Sequence, residues 1–189
     1  MSKYCNPLTY FENSQMQPHF ETERLILRPR TMADFQACIE MDRDPEVTKF
    51  IPGPWNNPPE HEAFLKERIA HVFDAGLGYW SIFPKSQPDH FVGWILLIPE
   101  GGAGSDIEIG WRLNRMAWGK GYASEAARVV MGNAFETLGL ERIIADIDPG
   151  NHSSIRVAEK IGMKPAPQHD SRSSICYMLT NTEFHAAQV

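Results

Sequence analysis

Residues 118–130 read WGKGYASEAARVV, with two glycines and a lysine just ahead of an alanine-rich run. Within and beyond that run Ala123, Ala126, Ala127, Val130, Met131, Ala134 and Leu138 share one helical stripe, and Gly139 ends it. A backbone stripped of side chains at a helix start lets an anion reach the main-chain N–H groups. A tight turn without any ligand uses glycine too, so the neighbouring residues must decide.

Three anion-binding patterns compete for this stretch. The ATP-type loop requires glycine where Asn114 stands and Ser or Thr where Gly121 stands, and it is absent. The dinucleotide fingerprint G-x-G-x-x-G is met in all but its last place, Ser124, with Glu141 in the region of the ribose-binding acid. Against it, residues 114–118, NRMAW, separate the preceding strand from the glycines where the dinucleotide fold turns tightly. The third pattern is a pyrophosphate cradle. Successive N–H groups over 119–123 open a helix whose dipole adds roughly half a positive charge, and Lys120 adds a whole one.

Working outward, 106–113 (DIEIGWRL), 91–98 (FVGWILLI) and 79–83 (YWSIF) are aromatic and β-branched runs joined by turn-rich segments, the pattern of an antiparallel meander. Before them lie a strand over 23–29, a helix from Thr31 as N-cap through Met41 with Asp34 completing a capping box, a proline-rich loop over 52–59 and a helix over 60–74 stopped by Gly76 and Gly78. After the alanine-rich helix come a strand over 142–148, a helix over 151–161 ended by Gly162, and a strand over 174–179. The order β-α-α-β-β-β-α-β-α-β predicts an α/β chain of α+β type, with a mixed, mostly antiparallel central sheet flanked by helices. The strand–helix–strand unit through Asp148 is expected to run parallel with a right-handed crossover.

The bounds agree with one such domain over 20–189, preceded by a polar arm over 1–19 that lacks either period. At 189 residues and 42% hydrophobic content the chain can bury a core without disulfides. Cys5, Cys38 and Cys176 show neither a paired framework nor ligand spacing. The seven histidines form no metal-type pair, so no metal is expected, and only His152 lies near the glycine stretch. No segment is apolar enough to span a bilayer, and the start does not resemble a secretory signal, so a cytoplasmic protein without a membrane partner is expected. A net charge of -6 argues against non-specific nucleic-acid binding and tolerates a cationic substrate. Monomer and homodimer are both compatible with the sequence.

Residues 108–130, EIGWRLNRMAWGKGYASEAARVV, followed after a strand by 151–163, NHSSIRVAEKIGM, resemble the GCN5-related N-acetyltransferase (GNAT) superfamily and, within it, the RimJ/RimL-like branch of ribosomal-protein N-terminal acetyltransferases. The family motif Q/R-x-x-G-x-G/A is met by Trp118-x-x-Gly121-x-Ala123, with tryptophan first, a substitution familiar in that branch. The resemblance is tightest over 108–163, and the order of elements extends it from about residue 20 onward.

The resemblance implies acetyl-coenzyme A (acetyl-CoA) as cofactor and a primary amine as acceptor, a protein N-terminus or a small molecule, acetylated directly in a ternary complex. It implies that Arg112, Leu113 and Asn114 pair with the pantetheine arm where two parallel strands splay, and that Trp118, Gly119, Lys120, Gly121, Tyr122 and Ala123 hold the pyrophosphate. Asn151 and Ser154 would face the thioester, and Lys160 the adenosine phosphates. The acceptor loops would be 45–59, 83–90 and 166–173.

The chemistry needs a base to free the amine of its proton and a donor for the departing thiolate. Glu108 is the candidate base: its neighbours Ile107 and Ile109 face the opposite side of the strand, although a surface glutamate fits the same alternation. The tyrosine many relatives use as acid is replaced by Ala158, leaving Ser154 or water, while Asn151 and Ser154 also suit a plain helix start. Trp55, Trp80 and Trp111 are candidates for the acceptor pocket or for the core. A dinucleotide-binding oxidoreductase and an inactive coenzyme A-binding module remain the competing readings.

Overall fold

The polypeptide builds eight strands, hydrogen-bonded in the order β1-β2-β3-β4-β5-β6-β8-β7, in a computed structural model that describes residues 17–187 apart from 75, 103, 105 and 168–172. β1 (Phe20–Glu21), β2 (Leu25–Pro29), β3 (Gly78–Pro84), β4 (Gly93–Pro99) and β5 (Ile107–Leu113) form an antiparallel meander. β6 (Arg142–Ile147) lies parallel to β5, and β8 (Ile175–Thr180) pairs antiparallel with both β6 and β7 (Lys164–Pro165). The mixed, mostly antiparallel sheet and its single parallel pair match the expectation from sequence.

Strand alternation sorts two cores onto the two faces. Leu25, Leu27, Trp80, Ile82, Ile95, Leu97 and Ile109 pack against α4 (Tyr122–Gly132), whose Ala126, Ala127 and Val130 are fully buried. Tyr79, Phe83, Trp94, Leu96 and Ile98 point the other way, onto α1 (Phe35–Asp42) and α3 (Pro58–Ala70) through Cys38, Ile39, Met41 and Leu65. Covered on both faces, β3 and β4 carry near-continuous apolar runs rather than alternating ones. α5 (His152–Lys160) closes the first face beside α4, and Ala158 is buried there.

Thr31 and Asp34 form the expected capping box, but around a 3-10 turn, Met32–Asp34, that leads into α1. The alanine-rich helix reaches Gly139 by widening into a π turn, Asn133–Thr137. α3 begins earlier than expected, with Pro58 and Pro59 in its first turn after Asn57, and stops at Ala70, where His71 turns extended. Val72, within the span expected to be helical, is exposed, while Phe73 packs on Tyr79. Four short elements escape a reading by period: β1, β7, α2 (Pro45–Thr48) and α6 (Asn181–Ala186) are each too brief for one. Of the expected arm, residues 1–16 lie outside the described residues. Gln17 and Pro18 are tied to β3, through Gln17 Nε2 to Tyr79 O and Trp80 Nε1 to Pro18 O at 2.6 Å. Cys38 and Cys176 are buried, the Cys176 thiol donating to Tyr177 O, and Cys5 is not among the described residues. No described helix is long and apolar enough to cross a membrane.

Trp80, a candidate for the acceptor pocket, is instead part of the core: it is 0% exposed, tilts against Phe20 and spends its N–H on Pro18. Its face of the sheet is the one packed by α4. Trp80→Ala is expected to cost about 3–5 kcal/mol and Trp80→Phe about 1–2 kcal/mol in urea denaturation. Losses near zero in both would contradict the core placement.

Candidate active site

β5 and β6 share a single register contact, Glu108 to Ile144, and separate beyond it. Asn114 N–H donates to Val92 O at 2.9 Å, so even-numbered positions of β5 point their main chain at β4 and odd-numbered ones at β6. The separation therefore bares the N–H and C=O of Trp111 and the N–H of Leu113. Leu113 O is taken by the Trp118 indole N–H at 2.9 Å, which straps the glycine turn to the strand end.

The turn itself requires glycine. Gly119 and Gly121 hold φ of 73° and 80°, left-handed backbone that a side chain strains, and Gly121 is the N-cap of α4 without any side-chain cap. A Cβ at Gly119 would meet nothing within 4 Å, so the turn presents an open surface. The first-turn N–H groups of α4 have no intrahelical acceptor. Arg24 fixes the turn from β2's side: its Nη1 donates to Lys120 O at 3.0 Å, its Nε to Glu125 at 2.7 Å, and its guanidinium lies over the Tyr122 ring. That hydrogen bond to Glu125 raises the Arg24 pKa. Burial works to raise Glu125, but hydrogen bonds from Thr22 and Arg24 outweigh it and the carboxyl is held below its ordinary value.

A cleft of about 530 Å³ runs from this turn past Trp111, Arg112 and Leu113 to the start of α5, reaching Asn151, Ser154 and Lys160. Its opposite wall is α2 and the residues after it, Val47, Lys49, Phe50 and Ile51, which sequence reasoning placed only in a variable loop. Asp44 as N-cap followed by Pro45 was the local signal for α2. At the outer end a depression gathers Arg24, Lys120, Arg128 and Lys160 against Glu23 and Glu125. A second cleft, about 320 Å³, opens on the other face of the sheet; it shares Phe50, Ile51, Trp111, Arg112, Asn151 and Ser154 with the first.

Glu108 lines the second cleft. Burial, then the charges of Asp146 and Glu100, push its carboxyl up to about 7, with Arg68 pulling the other way. Trp55 lines it too, its N–H on Ile51 O and its ring against His61, Phe64 and the Arg112 guanidinium. Trp111 sits between the clefts. Asn151 caps α5 by accepting from Ser154 N–H at 3.1 Å, which places Ser154 at the junction. Two of the residues assigned to the pantetheine arm point elsewhere. Asn114 is engaged throughout, its N–H on Val92 O, its C=O by Ala117 N–H and its amide on Phe91 O. Arg112 directs its main chain at β4 and its side chain to Asp42 at 2.6 Å, so Trp111 and Leu113 carry the open edge.

Sequence reasoning did not find the charged floor of the second cleft. Asp42 is buried between Arg112 and His61, the latter at 3.3 Å, and Arg30 and Arg68 lie beside it. The overlooked signal was LILRPR, which sets Arg28 and Arg30 on one face of β2's line while Leu25 and Leu27 fill the other.

The model of the acetyltransferase (GNAT) domain matches residues 24–164. The chain is similar to the uncharacterized N-acetyltransferase YnaD of Bacillus subtilis, 34% identical over 77% of this chain and 82% of that protein. It is 30% identical to FsC-acetyl coenzyme A-N(2)-transacetylase of Aspergillus fumigatus over 78% of this chain and 65% of that protein. The solved acetyltransferase of Agrobacterium tumefaciens superposes with a TM-score of 0.74 at 31% identity, covering 87% of this chain and 95% of that one. A splayed parallel pair, a bare glycine turn and a family model spanning both make the chain a member of the GNAT family of acetyl-CoA-dependent acetyltransferases.

Proposed function

We propose that the protein transfers the acetyl group of acetyl-CoA to a primary amine, of a protein N-terminus or a small molecule, and that it belongs with the RimJ/RimL-like enzymes. The observation that carries this reading is Glu108, a carboxylate raised to about 7 at the one point where the strands of the splay still touch. Tryptophan at position 118 in the glycine motif supports the branch. Acetyl-CoA supplies the acyl group as a thioester.

The residues present fit that molecule. The edge of Trp111 and Leu113 suits an amide-bearing arm, the N–H groups over 119–123 suit a pyrophosphate, and Lys120, Arg128 and Lys160 surround the outer depression where further phosphates would lie. Glu108 accepts a proton from the acceptor ammonium, and the freed nitrogen lone pair bonds to the carbonyl carbon as the carbon–sulfur bond breaks. Open N–H groups at the splay polarise the carbonyl oxygen. The nitrogen, now bonded to the carbonyl carbon, gives up its second proton, which Ser154 at the junction of the clefts relays to the departing sulfur, so amine and thioester become amide and thiol. Asn151 holds the helix start that positions Ser154.

Two outcomes test these roles. With its pKa about 7, Glu108 is ionised above that value, so kcat/KM is expected to fall about tenfold per pH unit below it. Glu108→Gln should lower kcat roughly 100-fold or more and abolish that limb of the profile. Stability has the opposite sign. The folded-state value lies above the unfolded one, so the contribution is full below about pH 4.5 and is lost as pH rises through about 7. Glu108→Gln should therefore be more heat-resistant than wild type at pH 8, and an unchanged pH profile would remove Glu108 as base. In calorimetric titration, Gly121→Val is expected to weaken acetyl-CoA binding at least about tenfold, because valine resists the left-handed backbone. Undiminished binding would displace the cofactor from the glycine turn.

A further inference from the structure

Arg30 extends β2's ladder by one residue, its N–H on Tyr79 O at 2.9 Å. It is 8% exposed, with its guanidinium 3.7 Å from the centre of the Tyr79 ring and 5.8 Å from that of Trp94. No carboxylate pairs with the guanidinium among the described residues, and its one hydrogen bond there is a long one, Nη2 to Arg68 O at 3.5 Å. Nε of Arg30, Nε of Arg112 and Nε1 of Trp94 are buried donors without an acceptor, and all three residues line the second cleft. A buried cation without a hydrogen-bonded counter-ion is costly, and burial lowers the Arg30 pKa despite the nearby Asp42 charge.

The neighbouring carboxylates are already committed. Asp42 gives one oxygen to Arg112 and the other to His61, and Asp34 is bound by Arg28 through both oxygens. Glu108 and Asp146 belong to the far end of the same cleft. Pairing runs Tyr79 to Leu96 and Leu96 to Gly110, so Arg30 stands in the row that ends at Gly110, three strands or about 14 Å away. Gly110 lies between Glu108 and Arg112 on that face, and a Cβ there would press the Leu96 side chain at 3.3 Å, so the floor between the two charges is the apolar surface of Leu96. The cleft is cationic at one end and carboxylate-bearing at the other.

We propose that the acceptor carries a carboxylate as well as its amine, and that Arg30, with Arg112 beside it, receives the carboxylate while the amine lies at Glu108. Guanidinium is the side chain best matched to a planar carboxylate. The inference rests on the acetyltransferase reading and narrows its acceptor. A free amino acid and a peptide with an acidic side chain near its N-terminus present the same chemistry.

The test measures thiol release from acetyl-CoA with matched acceptors: α-amino acids against their carboxamides, and amidated tripeptides with Asp against Asn in second place. Wild type is expected to favour the carboxylate member of at least one pair by roughly 10- to 100-fold in kcat/KM. Arg30→Met should erase that preference by raising KM for the carboxylate member far more than for its uncharged partner, and should keep or raise Tm, because it removes an unpaired buried charge. Arg30→Lys should restore part of the preference. The pair that shows it, amino acid or tripeptide, identifies the source of the carboxylate. Equal use of both members by wild type overturns the inference whether or not the variants fold, as does an equal loss on both in Arg30→Met. If acetyl-CoA binds but no acceptor is used, the inference falls and the donor site stands; if acetyl-CoA does not bind, the acetyltransferase reading beneath it falls as well.

Discussion

β5 and β6 touch at Glu108 and Ile144 and nowhere else in register, and the rest of the site follows from that divergence. A parallel pair that ran on would bury the main chain of Trp111 and Leu113 in a ladder. Here those groups stay open, at a cost of about 0.5–1.5 kcal/mol for each bond not formed. The antiparallel β4–β5 pairing holds β5 straight over its whole length, Gly93 to Leu113 through Pro99 to Ile107, so the strand does not need its other edge. α4 follows β5 and α5 follows β6, and both helices therefore start where the strands part. Two N-termini with unfilled N–H groups converge on one opening, the usual position of ligands beyond the carboxyl ends of parallel strands.

The opening is kept in shape from the far edge of the meander. Thr22 and Arg24 grip Glu125 in the first turn of α4, and Arg24 reaches on to the carbonyl of Lys120. The same contact orients the glycine turn and neutralises a carboxylate that would otherwise repel an anion. Since Glu125 is held below its ordinary pKa, its contribution is present at neutral pH and is lost only as acid protonates it. Trp118 does the corresponding work on the strand side, where its indole takes the one carbonyl at the strand end that faces the opening. That explains how tryptophan fills the first place of a motif that elsewhere carries glutamine or arginine: a single N–H donor at that position suffices to hold the turn.

The fold was legible because long periodic segments carry it. The meander strands, α4 with its alanine stripe and α5 all stand close to where period and punctuation put them. The short elements were hidden, since two to six residues show no period, and α2 mattered because it walls the cleft that runs from the glycine turn. Within the site, the resemblance pointed to Glu108 and alternation gave its side of the strand: Ile107 and Ile109 belong to the α4 core, and the residue between them must face the other way. Alternation also says which main-chain groups face which neighbour, but only once the neighbours are known. Arg112 and Asn114 were thus assigned to an edge that belongs to Trp111 and Leu113. Trp80 could not be separated from Trp55 by type. A tryptophan on a strand covered on both faces is core, and a tryptophan in the loop before α3 sits over the cleft, a distinction that depends on layers rather than on local sequence.

The second cleft holds two groups in environments that disfavour their charge, and they have opposite signs. Glu108 is raised by burial and by Asp146 and Glu100; Arg30 is lowered by burial, which outweighs the nearby charge of an Asp42 already bound to Arg112 and His61. Structural ion pairs do not look like this: Arg28 and Arg112 each hold a carboxylate, Asp34 and Asp42, within the same few residues of sheet and helix. The chain evidently can place a carboxylate next to a guanidinium on this face, and does so twice, yet it leaves Arg30 unpaired while Glu108 stays at the opposite end. Strain of that kind persists where a ligand relieves it. A neutral amine alone would meet Glu108 and leave the cation as it is, whereas an acceptor with both charges would satisfy each end of the cleft with its complement.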